Sequence, residues 1–368
     1  MSDGYRKYLI NIIPRISKHS EVESILCATP SSINLENDFE KLPNVQFKHC
    51  QPFKLIYNKQ DIALNETLEK YSPDVVYVPV ERYFRFKTVP VVNMIQNMEP
   101  FIYPFKGNPV SERIKNLLRI IYAKKALNNA DRIIAVSEFV KDFLSSRYGI
   151  PGHKFGVVHH GLDISERRNA GTPVPIPSHW QNKFFFTAGS IRPARGLEDA
   201  LYAIKHLRNL YGETLGIVIA GTPVPAMIRY QEKLIDWIDQ NNLSSKVLWA
   251  AHLNKSEMAW CYEHCSAFIM TSRVESFGQT AVEAMSHGCL CISANNPCLP
   301  EIFGDAAIYY RPMDVVSLSE AVNRISAKNS HECRELSERA YQRSTHFSWE
   351  ICAQKTVDEL KKATGALS

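Results

Sequence analysis

Glu275 and Glu283 stand eight positions apart in TSRVESFGQTAVEAMSHG (271–288), separated by the tight polar turn Ser276-Phe277-Gly278. Apolar residues at Ala281, Val282 and Met285 fit the helical period, which predicts a helix from Gln279 to His287. The first carboxylate then sits on the loop above a helix N-terminus, and the second lies inside that helix. Such an end offers backbone N–H groups and the positive pole of the helix dipole, which suits a phosphate. Glu275 is left to meet whatever hangs from the phosphate, while Glu283 can accept hydrogen bonds from a vicinal diol such as ribose. Taken alone, the same spacing equally describes a capped surface helix with two solvated glutamates.

A second loop adds weight. Gly189-Ser190-Ile191-Arg192-Pro193-Ala194-Arg195-Gly196 is bracketed by glycines, and Arg192 and Arg195 are spaced to reach one anion. Guanidinium forks suit a diphosphate through charge-assisted, bidentate contacts. The plainer alternative is two solvated loop arginines. Gly221-Thr222 supplies a third loop of the same kind. All three follow strand-like segments, where ligands bind in open parallel sheets.

Those strands alternate with helices along the whole chain, the pattern of an α/β protein with parallel sheets. In the first half, strands are expected over 74–79, 89–95, 132–137 and 155–159. Helices are expected over 111–129, amphipathic with basic residues, and over 138–147. The second of these strands ends in the polar turn Gln96-Asn97. Residues 166–182 carry alternating prolines without periodicity, the profile of a stiff linker. A second alternating set runs from 184 to about 345, and a last helix covers Ser348 to Ala363. At 368 residues this amounts to two doubly wound domains, each able to bury a core.

Hydrophobic content of 45% and charge of 22% are globular values, and no run of eighteen apolar residues offers a membrane span. MSDGYRKYLINIIP lacks a cleavage site, and nine cysteines without framework spacing point to a reducing cytosol. Cys289, Cys291 and Cys298 near His287 could be metal ligands, but buried structural thiols are the favoured reading. Residues 1–165 hold 22 Lys+Arg against 17 Asp+Glu, whereas 166–368 hold 21 of each. A basic first half fits an anionic acceptor or anionic lipid heads, as well as a solvated surface without any partner. Nucleic acid is disfavoured for want of a dense basic stripe. Walker, H-E-x-x-H, nucleophile-elbow and D-x-D patterns are missing, so leaving-group charge is expected to be neutralised by protein groups, with no metal.

In order, AGSIRPARGLEDAL, GIVIAG, VLWAAHLNKSEMAWCYEHCSAFIMTSRVESFGQTAVEAMSHG, LPEIFGDAAIYYRPMD and FSWE resemble the donor-binding half of family 4 retaining glycosyltransferases of the GT-B architecture. PDVVYVP, ADRIIAVSEFVKDFL and VVHHGLD extend the likeness more loosely. The resemblance implies two facing Rossmann-like domains with the site in the cleft between them. It divides the chain into an acceptor-side domain (1–165), the linker (166–182), a nucleotide-sugar domain (183–346) and a helix (347–368) crossing back. Glu275 would contact the transferred sugar and Glu283 the nucleotide ribose. Backbone around Ser276, Phe277 and Gly278, with Gly189 and Gly221, would hold sugar and phosphate.

Arg195 stands where the family usually has a lysine. Ser190 stands where many members have an arginine, whose charge Arg192 would supply. Gln96-Asn97 replaces a His-Asp on the sugar and acceptor side. DGYRKYLINIIP resembles the segment after the family's first strand, which implies a start upstream of Met1 or a truncated remnant. The expected activity is retaining, metal-independent transfer from a nucleotide diphosphate sugar to a glycan or lipid-linked hydroxyl, in the cytoplasm or peripherally at the inner face of the plasma membrane. An inactive relative that only binds, and a GT-B nucleotide-sugar epimerase, remain the alternatives.

Overall fold

The structure, a computed structural model, describes residues 3–52, 62–103, 106–162, 176–212 and 214–365. The expected break at 165/166 and the linker residues 166–175 lie outside these. Residues 176–182 are described and contain a short 3-10 turn, Ser178–Trp180.

Chain contacts resolve two compact units. One comprises Met1–Asn97, Lys115–Gly161 and Phe347–Ser368; the other comprises Met98–Ile114 and Leu162–His346. In chain order the first half gives α1 (Asp3–Ser17), β1 (Ile25–Pro30), β2 (Val45–Cys50), α2 (Ile62–Tyr71), β3 (Val76–Val78) and β4 (Val91–Ile95). Then come α3 (Glu99–Ile102), α4 (Val110–Asn129), β5 (Arg132–Ala135), α5 (Glu138–Tyr148) and β6 (Phe155–Val157).

In the first unit β3-β4-β5-β6 form a parallel sheet, and β1 pairs with β2 in a separate parallel ribbon. All five residues of β4 are buried, as a parallel strand covered on both faces requires. Its one polar member, Asn93, donates from Nδ2 to Val80 O (3.1 Å) and Arg82 O (2.9 Å), pinning the loop after β3. The helix α13 (Trp349–Thr364) belongs to this unit and packs on α1. There Trp349, Tyr8 and His160 meet ring to ring, with centroids 5.2–6.1 Å apart. Glu359 of α13 forms an ion pair with Arg132 that is largely buried.

The second unit contains β7 (Phe184–Ala188), α6 (Leu197–Tyr211), β8 (Gly216–Ala220), α7 (Ile228–Gln240), β9 (Val247–Ala251) and α8 (Lys255–His264). It continues with β10 (Ala267–Met270), α9 (Gln279–Ser286), β11 (Cys291–Ala294), α10 (Cys298–Phe303), β12 (Ala307–Tyr310), α11 (Val315–Ser326) and α12 (Ser330–Ser344). Six parallel strands lie in the order β12-β11-β10-β7-β8-β9. The chain builds outward from β7 in one direction and returns to build from β10 in the other. The carboxyl ends of β7 and β10 therefore diverge at the switch point of a doubly wound sheet.

Local chemistry fixes the helix starts around this sheet. Asn254 and Glu257 form a capping box on α8, as Asn329 and Glu332 do on α12. Phe184, Phe186 and Phe268 are wholly enclosed at the sheet centre, which holds the loop-bearing strand ends rigid.

Candidate active site

Two loops leave the switch point, 189–196 after β7 and 271–278 after β10. They are stitched together: Arg273 N donates to Ala194 O (2.8 Å), and Thr271 Oγ1 to Arg195 O (2.7 Å). Arg273 also grips Asp199 in the first turn of α6 with a bidentate fork, one arm at 2.6 Å. Asp199 is 3% exposed and accepts further bonds from Tyr310 (2.9 Å) and Met313 N (3.0 Å). Burial opposes the Arg273 charge most strongly of any single influence, but the hydrogen bond to Asp199 together with the charge of Asp199 and its neighbours outweighs it and raises the guanidinium's pKa. A buried charge held this way is a frame for the loops rather than a reagent.

A concavity sits at this point, lined by Gly189, Arg195, Thr271 and Ser272 with apolar walls from β7, β8 and β10. Arg195 forms an ion pair with Glu275. Ser272 Oγ ties the two, donating to Glu275 Oε1 (2.9 Å) and accepting from Arg195 Nη1 (3.2 Å). Gly189 has φ +138°, and a Cβ there would meet the Arg195 guanidinium at 2.9 Å. Gly221 (φ +137°) abuts Gly189 O so closely that a Cβ would stand 1.9 Å from it. The glycines are needed because backbone and guanidinium fill that space.

Gly278, in the left-handed region at φ +90°, caps α9. Glu275 lies on the loop before it and Glu283 within the helix. Glu283 accepts from the buried Tyr262 hydroxyl (3.3 Å), and the Tyr262 ring stacks on His287 (5.5 Å between centroids). Burial, and then the charge of Glu283, push the Tyr262 phenol well above its ordinary range, so it remains a donor. Ser276 Oγ accepts from Met98 N (2.9 Å), Cys298 Sγ donates to Phe277 O (3.6 Å), and Asn296 Nδ2 donates to Ser272 O.

Arg192 does not join Arg195 on a common partner; its guanidinium pairs with Glu99 of α3. Its Nε is buried and finds no acceptor among the described residues. Ser190 follows Gly189 in the same loop, half-buried. Gln96 and Asn97 close β4 in the first unit, where both backbone N–H groups donate to Glu81 Oε1 (2.6 and 2.8 Å). Burial raises the Glu81 carboxyl against the lowering effect of those bonds.

All nine cysteines are free thiols. Cys265 Sγ and Cys289 Sγ lie 3.2 Å apart, and Cys291 Sγ donates to Cys289 O (3.2 Å).

Glu99, Tyr262 and Asn296 in the second unit, and Glu81 beside Gln96 and Asn97 in the first, are supporting residues that sequence reading passed over, and the contacts of Ser272 were not foreseen. Ser272 alone had a local signal, standing three positions before Glu275.

Residues 176–343 match the family model "Glycosyl transferases group 1", and residues 7–166 match "Glycosyltransferase Family 4". A D-inositol 3-phosphate glycosyltransferase of Streptomyces bingchenggensis is 25% identical over 67% of this chain, the match spanning 56% of that relative's length. The O-antigen chain mannosyltransferase B of Escherichia coli is 22% identical over 97% of this chain and 96% of its own. Among solved structures, Anabaena HepE in complex with UDP-glucose superposes with a TM-score of 0.72 at 17% identity, covering 98% of this chain and 97% of that one. At that identity the likeness speaks for the fold, and the fold is the GT-B fold. Two family models laid end to end over both halves, and relatives matched along nearly the full chain, place the sequence among the family 4 glycosyltransferases.

Proposed function

We propose that this chain transfers a sugar from a nucleoside diphosphate sugar to a hydroxyl of a glycan or lipid-linked acceptor, with retention at the anomeric carbon and without a divalent metal. The supporting observation is the Arg195–Ser272–Glu275 cluster at the switch point, beside the Gly278 end of α9. In this reading the diphosphate takes over Arg195 and meets the helix end, and Arg192 contributes from the same loop. Preorganised positive groups aimed at developing charge are usually the largest catalytic term.

Glu283 holds the ribose diol and Glu275 the hydroxyls of the transferred sugar. The C1–phosphate bond breaks as the acceptor oxygen bonds to C1 on the same face, and the acceptor's proton passes to the departing phosphate oxygen. The relatives' printed names name mannosyl transfer to O-antigen chains and glycogen synthesis; transfer onto a surface polysaccharide intermediate extends that pattern. We place the chain in the cytoplasm, peripherally bound to the membrane that would carry such an acceptor.

A panel of UDP-, GDP- and ADP-sugars scored by thermal shift tests the donor site, and product analysis with and without acceptor tests transfer. A shift that Glu283→Ala removes is expected. Unchanged donor binding in Glu283→Ala and unchanged turnover in Arg195→Ala together refute the assignment. Donor binding without transfer would leave a binding protein, and conversion of the donor without acceptor an epimerase.

A further inference from the structure

Cys265 and Cys289 carry chemistry that sugar transfer does not use. Their sulfurs lie 3.2 Å apart, close enough for one thiol to donate to the other. Cys265 follows α8 and Cys289 precedes β11, so both stand just ahead of the paired strands β10 and β11. Phe268 lies opposite Cys291 in that pair, which sets Ser266 level with Cys289 and Cys265 next to it. Neighbouring strands run about 4.8 Å apart, within the backbone separation that a disulfide spans.

The two sulfurs differ in exposure and charge. Cys265 is half-buried, whereas Cys289 is 4% exposed. The hydrogen bond from the Cys265 thiol is the largest influence on Cys289 and helps hold it well below the usual thiol range against the cost of burial. Burial holds Cys265 itself above that range. The pair therefore keeps its proton on the outer sulfur, with a thiolate behind it to act as base. Cys27 is also half-buried, but burial pushes its thiol up to about 12 and leaves it protonated.

We propose that Cys265 and Cys289 form a redox-modification site, which a hydroperoxide oxidises to a reversible disulfide within the chain. The Cys265 sulfur attacks hydrogen peroxide while its proton passes to Cys289. The O–O bond breaks, Cys265 becomes a sulfenic acid, and the departing hydroxide takes a proton from solvent. Cys289 then attacks the sulfenic sulfur; the S–S bond forms, the S–O bond breaks, and the leaving hydroxide takes the Cys289 proton as water. Two thiols lose the two electrons that the peroxide gains, and a dithiol reverses the step by exchange.

The bond would close a ring of about 25 residues around β10, the loop with Glu275, and α9 with Glu283. Tyr262, which donates to Glu283, stands three positions before Cys265, whose sulfur lies 3.6 Å from Tyr262 O. His287, stacked on Tyr262, stands two positions before Cys289. Drawing the sulfurs together shifts that stack behind Glu283. Weaker nucleotide-sugar binding by the oxidised protein follows, and this consequence rests on the donor site proposed above.

The test is peptide mapping by mass spectrometry of the full chain, before and after hydrogen peroxide, with remaining thiols alkylated. Wild type and Cys333→Ser are expected to give a linked 265–289 peptide that dithiothreitol removes; Cys265→Ser should give none. Ring closure should raise the melting temperature of wild type by at least about 2 °C. The half-saturating concentration of the preferred nucleotide sugar should rise about three- to tenfold on oxidation and recover on reduction. Peroxide that leaves both thiols open to alkylation, or links either one to another cysteine, overturns the proposal. A 265–289 bond with unchanged donor binding overturns the coupling to Glu283. The bond without a donor response in either state upholds the thiol pair and refutes the transferase; a donor response without the bond does the reverse.

Discussion

The Ser272 hydroxyl donates to Glu275 Oε1 at 2.9 Å while accepting from Arg195 at 3.2 Å. One small side chain thus sets the angle at which an acid and a base meet. A hydrogen bond to a charged group contributes about 1.5–3 kcal/mol. With Glu275 on the transferred sugar as proposed, Ser272→Ala is expected to lower kcat roughly tenfold, with the donor Kd changed less than about threefold. Initial rates and calorimetry check the split; a rise in Kd with kcat intact would mean that Ser272 serves binding instead.

Glu283 and Tyr262 divide differently. With Glu283 on the ribose, Glu283→Ala should weaken donor binding about 10–100-fold through loss of charged hydrogen bonds. Tyr262→Phe removes only the hydroxyl that orients it and is expected to cost a few-fold. Isothermal titration with the preferred nucleoside diphosphate reads both. Equal losses would show that Tyr262 touches the ligand itself.

Gly221→Ala places a methyl group 1.9 Å from Gly189 O in a backbone conformation that side chains avoid. Strain and displacement together are expected to cost about 3 kcal/mol or more. Gly152→Ala, with nothing within 4 Å of its new Cβ, should stay within about 0.5 kcal/mol of wild type. Urea titration of the pair decides whether the loop contact between β7 and β8 is as tight as described.

His160 lies against Tyr8 and Trp349, and burial, with smaller electrostatic contributions from His159 and Lys7, lowers its pKa to about 3. The unfolded chain takes up this proton near pH 6.5 and the folded chain does not, so stability falls as pH drops from 6.5 towards 3. Between pH 7 and 5 the loss is expected to be about 1–2 kcal/mol, reduced for the ring's partial exposure. His160→Phe keeps an aromatic ring in place and should remove that slope. Identical pH slopes in urea melts of the two proteins would contradict the buried, uncharged imidazole.

Much of this was legible in the residues. The runs FFFTA, GIVIA and VVNMI read as strands because parallel strands covered on both sides are near-continuous apolar runs. β1 and β2 escaped notice because most of their residues are only partly covered and β2 carries Lys48 and His49, so no apolar run or clean alternation marks them. The loop position of Glu275 and the helical position of Glu283 followed from local periodicity. The pairing of Arg192 with Glu99, or Ser276 with Met98, joins residues 93 and 178 positions apart and leaves no mark on either local sequence.

The clasp between Arg195 and Glu275 means that the pocket carries its own counter-ion. On the proposed reading, a pyrophosphoryl group arriving there would displace one carboxylate and shed few mobile ions, unlike a ligand neutralising bare guanidinium groups. Affinity for nucleotide sugars would then vary little with ionic strength, and sulfate, lacking a sugar to occupy the released Glu275, would be a poor competitor.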